Sequence, residues 1–200
     1  MCRAFVFAAS TILLLAVSAA AQESRSEVSL QGTGFFTTGT SGNGTLYSAT
    51  ETGGFLAGYR YHLNRWLSVE AVYGWDRNTQ KYLLGSGAFR NQSNVHQATG
   101  GLVLGLPPFA KRRLRPYVLA DGGALVFDPI GNQAYIGATS QTQAKGVFVY
   151  GGGVNYAILR RIALRAEYRG LVYKTPDFGG LVTNSLTHTA EPSVGLAFRF

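Results

Sequence analysis

The chain has 200 residues and a formal charge of +8, a length that suits one domain. Its one cysteine, Cys2, falls in an apolar opening segment, so the remainder carries no disulfide scaffold, thiolate metal site or cysteine nucleophile. Only 14% of residues are charged and 26 are glycine, and no segment after residue 21 sustains helical periodicity, which predicts an all-β protein.

The opening segment reads as an export signal. Arg3 gives a positive n-region, and Ala4 to Val17 is an uncharged apolar run too short to span a bilayer as a helix. Ala19-Ala20-Ala21 makes a small-x-small cleavage site, with Ala19 and Ala21 at the small positions. Residues 1–21 are therefore expected to be a signal peptide and residues 22–200 the domain. The positive charge is local, at Lys111 to Arg115 and at Arg160-Arg161. Both fall at expected turns, and an exported chain is not expected to meet nucleic acid.

Period-two alternation then runs along the chain. Strand one, about Glu27 to Phe36, sets Val28, Leu30 and Phe36 against Ser29, Gln31 and Thr33. Residues 37–48 read as a Gly/Ser/Thr/Asn loop. Phe55, Ala57, Tyr59 and Tyr61 alternate with Leu56, Gly58 and Arg60; after a short turn, Leu67, Val69, Ala71, Tyr73 and Trp75 alternate with Ser68, Glu70, Val72, Gly74 and Asp76. That is a hairpin. Residues 77–93 read as a long polar connection.

Strand four, about Asn94 to Leu106, ends at Pro107-Pro108. A basic turn leads to strand five, Pro116 to Phe127, with Val118, Ala120, Ala124 and Val126 opposite Tyr117, Leu119, Asp121 and Gly123. Residues 128–145 form a third loop. Strand six, Gly146 to Ala157, sets Phe148, Tyr150, Val154 and Tyr156 against Val147, Gly151, Gly153 and Asn155; strand seven, Ile162 to Lys174, sets Leu164, Ala166 and Tyr168 against Arg165, Glu167 and Arg169. Residues 175–185 form a fourth loop. The last strand ends with Val194, Leu196, Phe198 and Phe200 alternating with Ser193, Gly195, Ala197 and Arg199. Pro192 removes one ladder donor, so a bulge or a late strand start is expected there. Eight strands result, with long loops at one end and tight turns at the other.

The polar face decides the class. In a water-soluble barrel it would be rich in Lys, Glu and Asp. Here it carries mostly Gly, Ala, Ser, Thr, Gln and Asn, which suits a crowded interior. The other face is a nearly uncharged band of Leu, Val, Ala, Tyr and Phe, with aromatics near strand ends at Tyr59, Trp66, Tyr156 and Phe198. That is the pattern of a lipid-facing surface, and strands of about 10–12 residues suit a tilted crossing. The expected fold is an eight-stranded antiparallel up-and-down transmembrane β-barrel. Its lumen would hold Arg60, Glu70, Asp121, Arg165, Glu167, Arg169 and Arg199 as an ion-pair network, with Arg60 and Glu70 pairing across their hairpin. Four bases against three acids leave that lumen close to neutral.

The chain resembles the OmpA-type small outer-membrane β-barrel family. The carriers are Gly58-Tyr59-Arg60-Tyr61 before a tight turn, Leu67 to Gly74, Arg115-Pro116-Tyr117-Val118, Gly151 to Tyr156, Ile162 to Arg169, and the terminal Gly195 to Phe200. The resemblance implies both ends of the barrel on the periplasmic side and long loops outward. It implies that Val194, Leu196, Phe198 and Phe200 resemble the signal read by the barrel assembly machinery, reached with periplasmic chaperones. It places the protein among the lipids of a Gram-negative-type outer membrane. No peptidoglycan-binding domain follows Phe200, so a cell-wall tether is not implied.

The functional expectation is a non-catalytic barrel with a structural or surface-interaction role, without cofactor or metal. Any surface ligand would meet loops 37–48, 77–93, 128–145 and 175–185, whose aromatics include Tyr47, Tyr82, Phe89, Tyr135 and Phe178. Three alternatives stand beside it: a narrow porin-like channel, a soluble secreted lipocalin-like barrel with the Tyr/Leu/Val face inside, and a lipid-A-modifying enzyme. The enzyme would use His188 with Ser185, Ser193 or Glu191, yet parity puts His188 on the lipid face and Ser193 in the lumen, so that pair does not converge. His62, His96 and His188 lack metal-ligand spacing.

Overall fold

A computed structural model describes residues 25–42, 45–84, 87–108, 113–130, 141–176 and 185–200. Eight long strands form the wall: β1 (Ser26–Thr37), β4 (Thr52–His62), β5 (Leu67–Leu84), β6 (Gly87–Gly105), β7 (Leu114–Pro129), β8 (Gln143–Ala157), β9 (Ile162–Lys174) and β10 (Leu186–Arg199). Two short strands, β2 (Thr40–Gly42) and β3 (Thr45–Ala49), lie between β1 and β4. Each wall strand pairs antiparallel with the next, and β10 pairs back with β1 from Glu27↔Arg199 to Thr37↔Thr189. The sheet is a closed eight-stranded up-and-down barrel, so the wall has no unpaired edge.

Parity assigns the faces. Leu30 is 62% exposed on the outer surface, whereas Gln31, one residue later, is 4% exposed and faces the lumen. The same contrast separates Leu102 from Thr99 and Phe148 from Val149. The Tyr/Leu/Val face is outside, which overturns the lipocalin-like alternative. Local chemistry makes the tight turns. Asn64 Oδ1 accepts the N–H groups of Trp66 and Leu67, both at 2.8 Å, and so closes the β4–β5 turn.

Three expectations about the strands change. Residues 77–93 are not a loose connection: β5 and β6 stay paired from Arg77↔Asn94 to Leu84↔Gly87. Asn78, Gln80, Asn91 and Ser93 face inward there in a buried side-chain ladder, with Gln80 Nε2 donating to Asn78 Oδ1 at 2.6 Å and Ser93 Oγ donating to Gln80 Oε1 at 3.0 Å. Residues 37–48 are not structureless either. β3 pairs with the projecting part of β5, from Leu46↔Leu83 to Ala49↔Gln80, because β5 outruns β4 and leaves an edge to be covered.

Pro192 causes neither a bulge nor a late start. The β9–β10 register runs unbroken from Leu186↔Lys174 to Phe198↔Ile162. On the other side only Gly34 and Phe35 lose their pairing with β10, and the register resumes without a shift at Phe36↔Ala190. The missing N–H is absorbed as a short gap, and the Pro192 carbonyl accepts from Thr33 Oγ1 at 3.0 Å.

The lumen has two parts. Towards the loop end, Phe35, Leu125, Phe127, Val149, Leu171 and Tyr173 form a buried apolar plug. Tyr47 of β3 joins this cluster, so it is part of the plug and not a free loop aromatic. Towards the turn end the interior is polar and charged. Glycine makes room for it: a Cβ on Gly101 would collide with the Ala120 carbonyl and the Asp121 carboxylate.

Candidate functional site

The charged part of the lumen is built by strand register. Arg60 and Glu70 are direct partners in the β4–β5 ladder. Both side chains point inward, and Glu70 Oε2 accepts from Arg60 Nη2 at 2.6 Å and from Nε at 3.0 Å. The Arg60 guanidinium lies 4.4 Å from the centre of the Tyr117 ring, and the Tyr117 hydroxyl donates to Glu167 Oε2 at 2.5 Å. Cation, ring and two carboxylates thus form one layer across the barrel.

Arg169 is the hub. It is fully buried. It donates to Asp121 Oδ2 at 2.9 Å and to Thr99 Oγ1 at 3.0 Å. Glu167 lies at 3.4 Å, and Glu70 and Glu191 each at 3.6 Å. Five strands therefore meet on one guanidinium, which is the planar, multidonor group suited to several oxygen acceptors. Arg165 is held by Glu27, Asn155 Oδ1 at 2.9 Å and Ser29 Oγ at 3.2 Å. Nearer the mouth, Arg199 donates to Glu27 Oε2 at 3.3 Å and to His62 Nε2 at 2.9 Å.

All seven residues named for the lumen from the sequence lie there. Three acids join them: Glu27, Asp76 and Glu191, each buried. The balance is corrected accordingly. Glu27, Glu70, Asp76, Asp121, Glu167 and Glu191 oppose Arg60, Arg165, Arg169 and Arg199, so carboxylates outnumber guanidiniums by two. The excess sits on the loop side of Arg169. There both oxygens of Glu191, Oδ1 of Asp76 and the amide of Gln97 have no hydrogen-bond partner among the described residues. Parity alone exposes these acids: Glu27 and Glu191 share the odd register of Ser29 and Ser193, and Asp76 shares that of Glu70.

The terminal strand carries the other named residues. Val194, Leu196 and Phe198 are exposed on the outer face. Phe200 N–H donates to the Ser26 carbonyl at 2.9 Å, and its ring stacks on Phe198 with centres 6.0 Å apart. Ala19 and Ala21 lie outside the described residues, as do residues 131–140 and 177–184 with Tyr135 and Phe178. His188 is on the outer wall, its Nε2 2.8 Å from the Tyr150 hydroxyl. Ser193 is buried in the lumen with its hydroxyl on Gln31 Oε1 at 3.1 Å, and Glu191 faces the lumen too. The geometry keeps His188 apart from both.

Among known proteins, the model of one family, described as outer membrane protein beta-barrel domain, matches residues 7–200. No curated protein matches the sequence. The fold is similar to three solved outer-membrane barrels. OprG from Pseudomonas aeruginosa has a TM-score of 0.62 at 14% identity, covering 90% of this chain and 97% of that one. Neisserial surface protein A has a TM-score of 0.57 at 16% identity, covering 86% and 97%. Ail, the attachment invasion locus protein of Yersinia pestis, solved with the heparin analogue sucrose octasulfate, has a TM-score of 0.50 at 17% identity, covering 88% and 99%.

Proposed function

This chain belongs to the outer membrane protein beta-barrel domain family, and we propose that it is a non-catalytic barrel with a structural or surface-interaction role and a closed lumen. The observation that carries this reading is Arg169. It is fully buried with four carboxylates within 4 Å, and an apolar plug stands beyond it. Such a network gives its stabilisation to one closed arrangement, because moving the guanidinium strands several buried charges at once.

The role then falls to the exposed surfaces. The outer wall meets outer-membrane lipid. The β5–β6 hairpin and its β3 flank present a firm projection, the natural place for a surface ligand. Insertion would proceed through periplasmic chaperones and the barrel assembly machinery, reading Val194, Leu196, Phe198 and Phe200, after removal of residues 1–21 as a cleaved signal. Planar-bilayer recording of the purified protein tests the closed lumen against a narrow porin-like channel. The expected trace has no conductance steps above background; reproducible unitary steps would establish the channel.

A further inference from the structure

A cavity of about 630 Å³ opens at the turn end of the barrel. In outer-membrane barrels the short turns face the periplasm. Five arginines line the cavity, Arg25, Arg60, Arg65, Arg115 and Arg199, together with His62. No carboxylate is among its described lining residues. We propose that this vestibule is a binding site for a phosphate or sulfate group carrying more than one negative charge.

Two of the five are paired within the barrel, Arg60 with Glu70 and Arg199 with Glu27, which Arg165 shares. Arg65 stacks on Trp66, its guanidinium 5.1 Å from the ring centre. Arg115 is exposed, and its side chain has no ion-pair or hydrogen-bond partner among the described residues. Arg65 and Arg115 therefore remain as cations without an ion-pair partner among the described residues, on a concave, low-dielectric wall, the geometry that focuses a positive potential on one place. Guanidinium forks match the oxygens of phosphate and sulfate better than a spherical halide. Ser68 and Asn155 supply further polar contacts on the inner wall, and the volume falls in the usual range for a small-ligand pocket.

The site is a dead end. Its floor is Tyr117 with Arg60 stacked on it. Beyond the floor lie Glu167, Asp121 and Glu191, all gathered on Arg169. An anion is drawn to the mouth and stopped by the packed side chains of the floor, so the vestibule holds it without passing it on. Two sources present this chemistry: the headgroup of an anionic phospholipid in the periplasmic leaflet, and a soluble phosphorylated or sulfated compound.

The test is calorimetric titration of the full chain in phosphatidylcholine nanodiscs with sodium pyrophosphate at low salt. The expected result is saturable one-site binding. Arg115→Glu should weaken it at least about tenfold, Arg115→Lys less, and Arg160→Glu, on a turn outside the cavity, should leave it unchanged. Unaltered heat-modifiable gel mobility shows that each variant is folded. No saturable heat at millimolar pyrophosphate would overturn the proposal. So would equal losses in Arg115→Glu and Arg160→Glu, which would mean general surface charge. Repeating the titration in phosphatidylglycerol nanodiscs identifies the source. Weaker pyrophosphate binding there means that headgroups occupy the site, and equal binding means a soluble anion; either result upholds the site.

Discussion

Arg165 on β9 and Glu27 on β1 form a buried ion pair that passes over β10, the strand between them. The seam that closes the barrel is thus joined twice, by backbone ladders through β10 and by side chains across the lumen. Glu27 also accepts from Arg199 of β10 itself. Replacing Glu27 by Gln leaves Arg165 buried without its counter-charge. The expected loss is about 3–5 kcal/mol, read as a shift in the urea midpoint of folded protein by tryptophan fluorescence. A loss below about 1 kcal/mol, the size of an exposed pair, would contradict the assignment.

Arg60 and Glu70 are coupled but not isolated. Arg60 also lies 3.6 Å from Glu167, and Glu70 lies 3.6 Å from Arg169. Arg60→Ala and Glu70→Ala each remove one partner and leave the other charge buried. The double variant removes both, so it should cost less than the sum of the singles by about 1–3 kcal/mol. A double-mutant cycle in urea measures this. Strict additivity would mean that the two groups are stabilised independently by their other neighbours.

Glycine placement gives a paired test. Among the described residues nothing lies within 4 Å of a Cβ added at Gly122, whereas at Gly101 a Cβ meets the Ala120 carbonyl and the Asp121 side chain. Gly122→Ala should therefore keep wild-type stability. Gly101→Ala should lose about 1–3 kcal/mol by overpacking and disturb the Asp121–Arg169 contact. Comparison of the two by heat-modifiable mobility across a temperature series checks the contrast; the reverse order would contradict it.

How much of this was legible in the sequence depends on where alternation survives. Within the wall, apolar residues must face outward, so period two persists and gives the faces, the eight long strands and the Arg60–Glu70 pairing. Above the rim both faces of β5 and β6 are polar, as at Arg77, Asn78, Thr79 and Gln80. The alternation disappears there while the backbone ladder continues. The apolar plug was hidden for the opposite reason. Phe35 beside Phe36, and Leu125 beside Val126, are apolar on both faces, and a rule that sends apolar residues outward has no place for Phe35 or Leu125. The lumen acids Glu27, Asp76 and Glu191 obey parity; they stand at a strand start, at a rim and next to Pro192. The vestibule was not legible, because Arg65 comes from the β4–β5 turn, Arg115 from the start of β7 and Arg199 from the end of β10, and they meet only when the barrel closes.

The terminal strand carries a prediction about assembly. Phe200 pairs with Ser26 through two backbone hydrogen bonds, at 2.9 and 3.2 Å. Removing Phe198 to Phe200 deletes that pairing, the Phe198–Phe200 stack and the end of the exposed apolar row. Outer-membrane levels of the folded form should fall at least about tenfold, judged from the heat-modifiable band in washed membranes, while the denatured chain stays soluble in detergent. Undiminished levels would show that assembly does not depend on these residues.

The closed lumen is tested most directly by the reactivity of a single thiol placed inside it. Thr99 is 6% exposed and accepts from the Arg169 hub. Cys2 is the one natural cysteine, so Thr99→Cys in a Cys2→Ser background carries one thiol. Thr142→Cys, on an exposed outer residue, serves as the accessible control. In the folded barrel a small charged methanethiosulfonate should label Thr142→Cys within minutes and leave Thr99→Cys unmodified until urea unfolds it. Rapid labelling of folded Thr99→Cys would mean a water path past Arg169, and the closed-lumen account would fail.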